Sequence, residues 1–331
     1  MPIRAKGIVT GGRLGRREML LATAASLVAR PAFGARKIPR IGLIGPGARK
    51  ASQGSFDAFR DGLDALGWAE DDLTVLDRWA EDHAERLPDI AQELVDAGAQ
   101  ILVTGGTPAT LAARTASATI PIVFVGVGDP LGAGIVSSLV QPGTGLSLSS
   151  GALIGKRFEL LRALVPGLGR VAVIARNDPG LEQRLLDIRA IADRQGIKVV
   201  EFVAATGRAL ELAFRWLKSD RYDALYVASG PLGPAKRAEI IALANGARLP
   251  AIYAFSVFAA GGGLMSFAAD ETEEFYRAAS FVDRILNGAQ PAALPVEPPK
   301  RFELAINLKT AQALGISVPQ PLLAEASAVI E

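Results

Sequence analysis

The chain has 331 residues, 50% of them hydrophobic and 21% charged, which is enough for a sizeable core and for two domains. Its net charge of +2 is unevenly placed: six of the 36 basic residues and one of the 34 acids fall within positions 1–35, so the remainder is net acidic and gives no support to nucleic-acid binding. With no cysteine, the chain has no disulfide, no thiolate metal site and no lipid-bearing N-terminal Cys.

Positions 1–35 read as an export signal. Arg4, Lys6, Arg13, Arg16 and Arg17 form a basic start, and an eleven-residue apolar stretch follows from Met19 to Ala29. That stretch is too short for a membrane span and suits the apolar region of a signal peptide. Ala32-Phe33-Gly34 fits a small-x-small cleavage site, and Gly15-Arg16-Arg17-Glu18-Met19-Leu20 looks like a twin-arginine motif. The mature chain is then expected in the periplasm.

From residue 38 short apolar runs alternate with amphipathic stretches. The pattern predicts strand 38–44, helix 56–66, strand 73–79, helix 86–97, strand 101–103, helix 108–117, strand 122–125 and helix 130–140. A small, polar connection covers 144–150. A second series follows: helix 156–164, strand 171–174, helix 181–195, strand 197–203, helix 209–218, strand 224–227, helix 235–246 and strand 251–254. A long helix 271–286, a proline-rich extended stretch 290–299, strand 302–306 and helix 308–314 end the chain. Two βα series imply two doubly wound lobes with parallel sheets.

Four strands run into a polar corner and then a proline: Thr104-Gly105-Gly106-Thr107-Pro108, Gly126-Val127-Gly128-Asp129-Pro130, Asn177-Asp178-Pro179 and Ser229-Gly230-Pro231. Thr107 and Asp129 are good N-cap residues, and proline after a cap suits the first helical position. Free N–H groups at such helix starts favour a polar or anionic ligand. In open parallel sheets ligands sit beyond the carboxyl ends of strands, where all four corners lie. Tyr253 and Phe255 straddle another strand end, where a ligand could stack.

Catalytic motifs are missing. No stretch matches G-x-x-x-x-G-K-[ST] or G-x-S-x-G, and Gly126-Val127-Gly128 misplaces the third glycine of a dinucleotide fingerprint. The single histidine, His83, stands in the charged run Glu81-Asp82-His83-Ala84-Glu85 and reads as a solvated surface residue. No metal cluster or cofactor is implied. The chain is therefore not expected to be an enzyme.

Several segments together resemble the tryptophan/tyrosine-type ABC transporter substrate-binding family. They are Ile120-Pro121-Ile122-Val123-Phe124-Val125-Gly126-Val127-Gly128-Asp129-Pro130, Thr104-Gly105-Gly106-Thr107-Pro108-Ala109, Arg78-Trp79-Ala80-Glu81, Ala260-Gly261-Gly262-Gly263-Leu264-Met265-Ser266 and the closing Phe302-Glu303-Leu304-Ala305-Ile306-Asn307-Leu308-Lys309-Thr310-Ala311. The resemblance covers residues 38–331. It implies a type I periplasmic-binding-protein fold, with two lobes joined by a three-crossing hinge near 146–150, 268–271 and 295–297. Lobe 1 would comprise 36–148 and 270–295, and lobe 2 would comprise 149–269 and 296–331.

On this resemblance the chain is a solute-binding protein of an ABC importer. It would deliver a small amino-acid-like or carboxylate ligand to a membrane permease, work as a monomer and involve no nucleic acid. Thr107 would face a ligand carboxylate. Asp129, Asn177 and Ser229 would supply polar contacts, and Tyr253 and Phe255 would wall the cleft. The loop from Gly45 through Ser52 to Ser55 carries Arg49 and Lys50 and suits an anionic ligand. Amino-acid-binding members place an Asp where Gly230 stands here, so an anionic metabolite fits at least as well as an amino acid. The alternatives are a periplasmic sensing module for a membrane receptor and, less favoured, an exported enzyme.

Overall fold

The computed structural model describes residues 38–50, 52–138, 145–147, 151–175, 177, 181–204, 206–228 and 234–331. The expected export signal and the Ser229 corner lie outside the described residues.

The first series is β1 (Arg40–Gly45), α1 (Gln53–Ala65), β2 (Thr74–Trp79), α2 (Leu87–Asp96), β3 (Ile101–Gly105), α3 (Gly106–Ala116), β4 (Ile122–Val127) and β5 (Gly145–Ser147). The second is α4 (Gly151–Leu164), β6 (Arg170–Ala175), α5 (Leu181–Arg194), β7 (Lys198–Val203), α6 (Gly207–Ser219), β8 (Ala224–Val227), α7 (Pro234–Gly246), β9 (Ala251–Tyr253), α8 (Ser256–Ala260) and β10 (Met265–Ala269). Then come α9 (Glu271–Leu286), β11 (Val296–Glu297), β12 (Phe302–Asn307), α10 (Leu308–Leu314), α11 (Gln320–Glu325) and β13 (Ala328–Ile330).

These strands form two sheets. Sheet 1 has the order β11-β5-β4-β3-β1-β2, and sheet 2 the order β13-β12-β10-β9-β8-β6-β7. The pairs are parallel except β10 with β12, which is antiparallel. The chain passes between the sheets three times: after β5, after β10 and after β11. Because β11 pairs with β5 in sheet 1, the last passage follows Glu297.

Central strands are apolar on both faces, as strands covered on both sides must be. In β1, Ile41 and Leu43 join one core with Phe56, Phe59 and Leu63 of α1 and with Phe275 and Phe281 of α9. Ile44 joins the opposite core, with Leu87 and Leu94 of α2 and Ala109 and Ala113 of α3. In sheet 2, Val171 and Val173 face a core shared with α4 and α5, while Ala172 and Ile174 face α6 and α7. The alternation of single residues thus decides which layer each strand side chain enters.

Helix α9 follows sheet 2 in sequence yet packs on α1 beside sheet 1. The contact is close at Gly62, where a Cβ would stand 2.5 Å from the Tyr276 carbonyl oxygen. The start of α9 is fixed by Asp270, whose side chain accepts from the Glu273 N–H at 3.0 Å. One turn on, Arg277 pairs with Glu297 and donates to the Pro298 carbonyl at 3.1 Å. Asp270 N–H donates to the Arg301 carbonyl at 3.0 Å. The first two turns of α9, with Asp270 before them, therefore tie the second passage to the third.

The expected helix 130–140 does not form over the described part of that range. Residues 130–134 make a single turn, closed by Ala133 N–H donating to Asp129 O at 3.0 Å. Gly132 and Gly134 weaken helix propagation there, and Gly134 adopts a φ of 65° that an α-helix cannot continue.

Candidate functional site

The carboxyl ends of β1 to β4 gather four short loops on one edge of sheet 1. The loops after β1 and β2 are laced together by backbone hydrogen bonds: Ala80 N–H to Gly45 O at 2.8 Å, Asp82 N–H to Pro46 O at 3.1 Å and Glu81 N–H to Gly47 O at 3.2 Å. Making these bonds puts Glu81 at φ 53° and Asp82 at φ 65°, two successive left-handed non-glycine residues. Such conformations are costly and persist where surrounding contacts over-determine them, as at ligand sites.

The strained pair delivers the Asp82 carboxylate beneath Gly47. A Cβ on Gly47 would lie 3.6 Å from Asp82 Oδ1 and 3.5 Å from Ser52 Oγ. Asp82 Oδ1 is buried and has no hydrogen-bond partner. On β4's loop, Asp129 Oδ1 accepts from Gly132 N–H at 2.9 Å, while its Oδ2 is likewise buried without a partner. A buried carboxylate oxygen left unpaired is expensive unless something completes it. Two of them on one strand edge favour a ligand with N–H donors or positive charge.

The expected role of Arg49 as an anion-attracting residue changes accordingly. Its guanidinium is engaged by Asp77 at 2.9 Å, and its backbone N–H donates to the Glu81 carboxylate at 3.1 Å. Burial alone would raise the Asp77 carboxyl, but hydrogen bonds from Trp79 and Arg49 outweigh it and hold Asp77 below the ordinary carboxylate range. Arg49 thus braces the loop.

The structure brings Gly45, Ser52, Thr107 and Asp129 to this one edge. Gly45 packs under Trp79, whose ring stands 2.0 Å from where a Cβ would be, so it serves a close approach of side chain to backbone. Ser52 precedes α1 without capping it through its side chain. Thr107 is not the N-cap of α3: it lies in the first turn, after Gly105 in extended conformation and Gly106 at φ 74°. The hydroxyls that secure this helix start are Thr110, donating to Gly106 O at 2.8 Å, and Thr104, 2.7 Å from Thr110 Oγ1. Thr107 is half-buried and makes no such bond among the described residues.

On sheet 2 the placements are mixed. Asn177 is exposed just beyond β6, and Phe255 is half-buried immediately before α8. Tyr253, expected to wall the cleft, is wholly buried instead. Its ring stacks on Phe258 with centroids 4.7 Å apart and closes over Gly263, so it belongs to the core; burial also pushes its phenol pKa up. His83 is an exposed residue paired with Glu85 at 3.1 Å, as read from its charged surroundings. Asp82, which the sequence hides in the same charged run, is a candidate that sequence reasoning missed. Among the described residues no group of His, Asp or Glu could hold a metal ion, and no helix is long and apolar enough to cross a membrane.

A pocket of about 330 Å³ lies between α1 and the start of β2, lined by Arg60, Trp68 and Leu73 among others. It occupies the opposite, amino-terminal edge of β2, away from the loops that carry the orphan carboxylate oxygens.

The profile of the family described as "ABC transporter substrate binding protein" matches residues 43–330. A tyrosine-binding protein from Clostridioides difficile is 27% identical over 274 residues, covering 82% of this chain and 78% of that one. Among solved structures, an ABC domain in complex with L-Trp from Streptococcus pneumoniae superposes with a TM-score of 0.79 at 23% identity, covering 88% of this chain and 99% of that one. A conserved domain protein from Vibrio cholerae gives a TM-score of 0.78 at 28% identity, covering 88% and 100%. Both solved structures share the two-lobed α/β fold.

Proposed function

The chain belongs to the ABC transporter substrate-binding protein family, a family of ligand-binding proteins rather than enzymes, and from that premise we propose that it captures an amino-acid-like solute for an ABC importer. It is exported by the twin-arginine signal in residues 1–35, acts in the periplasm as a monomer and hands its ligand to a membrane permease. The relatives named for tyrosine and for L-Trp support an amino-acid-like ligand.

The single observation that carries the ligand class is the pair of buried, unpartnered carboxylate oxygens of Asp82 and Asp129 at the carboxyl edge of sheet 1. A ligand ammonium would complete them with charge-assisted hydrogen bonds. That reading offsets the Gly230 position, where an Asp is missing: lobe 1 supplies the negative charge. Ser52 and Thr107 add hydroxyls on the same edge. Asn177, Ser229 and Phe255 would meet the ligand from lobe 2.

The mechanism is closure of lobe 1 (36–148 with 270–297) on lobe 2 (149–269 with 298–331) about the three passages; the expected boundary at 295/296 moves to 297/298 because β11 pairs with β5 in sheet 1. Contacts made only when both lobes touch the ligand favour the closed state. No bond is made or broken.

Thermal unfolding with a panel of amino acids tests this. A ligand present at a hundred times its Kd stabilises the native state by about 2.7 kcal/mol, a rise of several degrees. We expect such a rise with L-Trp, L-Tyr or a near relative. Thr107→Ala should weaken that binding about tenfold with the ligand-free Tm unchanged. No rise with any amino acid would remove the ligand class, and an unaltered Kd in the variant would remove Thr107 from the site.

A further inference from the structure

Arg157 of α4 is 5% exposed, and it is paired with no carboxylate among the described residues. Its hydrogen bonds go to neutral acceptors: Nε–H to the Phe267 carbonyl at 2.8 Å, Nη1–H to the Tyr226 hydroxyl at 3.0 Å and Nη2–H to the Ala254 carbonyl at a marginal 3.5 Å. The guanidinium also lies 5.7 Å from the Tyr226 ring centroid. An arginine has five N–H donors, so two remain unused.

The acceptors locate the charge. Ser266 is level with Tyr253 and Val227 is level with Tyr253 in the sheet register, so Phe267 and Ala254 stand one step past the ends of β8 and β9. This is the carboxyl edge of sheet 2, where an open parallel sheet receives its ligand. α4 starts just after the first passage between the sheets, and Phe267 lies three residues before Asp270, where the second passage is made.

Burying a charge without an opposite charge is costly. A carboxylate can escape by taking up a proton, but a guanidinium cannot shed one at any physiological pH. Neutral carbonyls and a phenol hold Arg157 in place without neutralising it. We propose that Arg157 receives an anionic group of the bound solute, a carboxylate in the first instance, at the carboxyl edge of sheet 2. The inference rests on the solute-binding reading and revises one part of it: the carboxylate that the resemblance gave to Thr107 of lobe 1 goes to lobe 2, and the ligand's positive end goes to Asp82 and Asp129 of lobe 1. Such a ligand is held at opposite ends by opposite lobes.

The test uses acetate, the simplest carboxylate, against chloride at equal ionic strength, read as the shift in Tm of the full protein. Wild type should be stabilised by acetate over chloride. Arg157→Gln should lose that difference, and Arg157→Lys should need at least about tenfold more acetate for the same shift, because the bidentate fork is gone. Absence of an acetate-specific shift in wild type, or its survival in Arg157→Gln, overturns the proposal. Should the Gln variant fail to fold, the Lys variant decides alone, and an unchanged acetate midpoint overturns it. A parallel arm with L-Trp and L-Tyr separates the two readings: acetate stabilisation without amino-acid stabilisation keeps Arg157 and removes the amino-acid ligand.

Discussion

At the scale of single residues, Glu274 in the first turn of α9 has no exposed surface, and neither of its carboxylate oxygens has a hydrogen-bond partner. Burial, with the added repulsion of Glu271 and Glu273, pushes its pKa to about 8. Arg277 opposes this, but it is already shared with Glu273 and Glu297. A folded-state pKa above the unfolded value near 4.5 means that Glu274 is protonated in the fold. Its contribution is fully present below pH 4.5 and is lost as pH rises towards 8, by an amount on the order of a few kcal/mol. Glu274→Gln should therefore flatten the fall of Tm between pH 5 and 8 and exceed wild type at pH 8. Parallel profiles for the two proteins would show that Glu274 does not titrate in this window. Neither this residue nor Asp82 stands out in the sequence, where both sit in runs of acids that ordinarily face water. Their burial comes from distant backbone: the β1 loop pulls Asp82 under Gly47, and packing of α9 covers Glu274. Tyr253 errs the other way, since a tyrosine at a strand end reads as a ligand wall until Gly263 leaves room for its ring to turn inward.

Among the elements, the contact of α1 with α9 is the one a small change should break. Gly62 has no spare space: a Cβ would stand 2.5 Å from the Tyr276 carbonyl and 2.8 Å from the Ala279 Cβ. The obstacle is helix backbone, which cannot rotate away. Gly62→Val should cost about 1–3 kcal/mol through forced separation of the helices, seen as a lower midpoint in urea with an unchanged slope. A midpoint equal to wild type would mean that the helices part freely. Most strands and helices were legible because their period is local: Phe56, Phe59 and Leu63 announce α1, and Val171 to Ile174 announce β6. The failures are equally local in cause. The helix expected at 130–140 starts with a proper cap at Asp129, but Gly132 and Gly134 end it after one turn. β11, two residues in a proline-rich stretch, and β13 carry no periodic pattern at all and exist only because sheets offered them an edge.

Across the whole molecule, the division into two lobes was legible from two βα series, and the motifs quoted above carried the family. Which strand edge holds an unpaired charge was not, because that depends on which side chains are already paired. Closure should be visible as a smaller radius of gyration in solution scattering when a stabilising ligand is added. An identical scattering curve with ligand bound would remove lobe closure from the mechanism. The passages between the sheets have one more effect, on biosynthesis. Sheet 1 is left at β5 and regains β11 only at residues 296–297, with α9 arriving shortly before it. At about 5–20 residues per second, a ribosome needs roughly 8–30 seconds to make the intervening segment. During that interval the side of α1 that meets α9, Gly62 included, is uncovered, and β5 is an open edge. The half made first is thus the half finished late, because its last helix and strand are made after most of the other half.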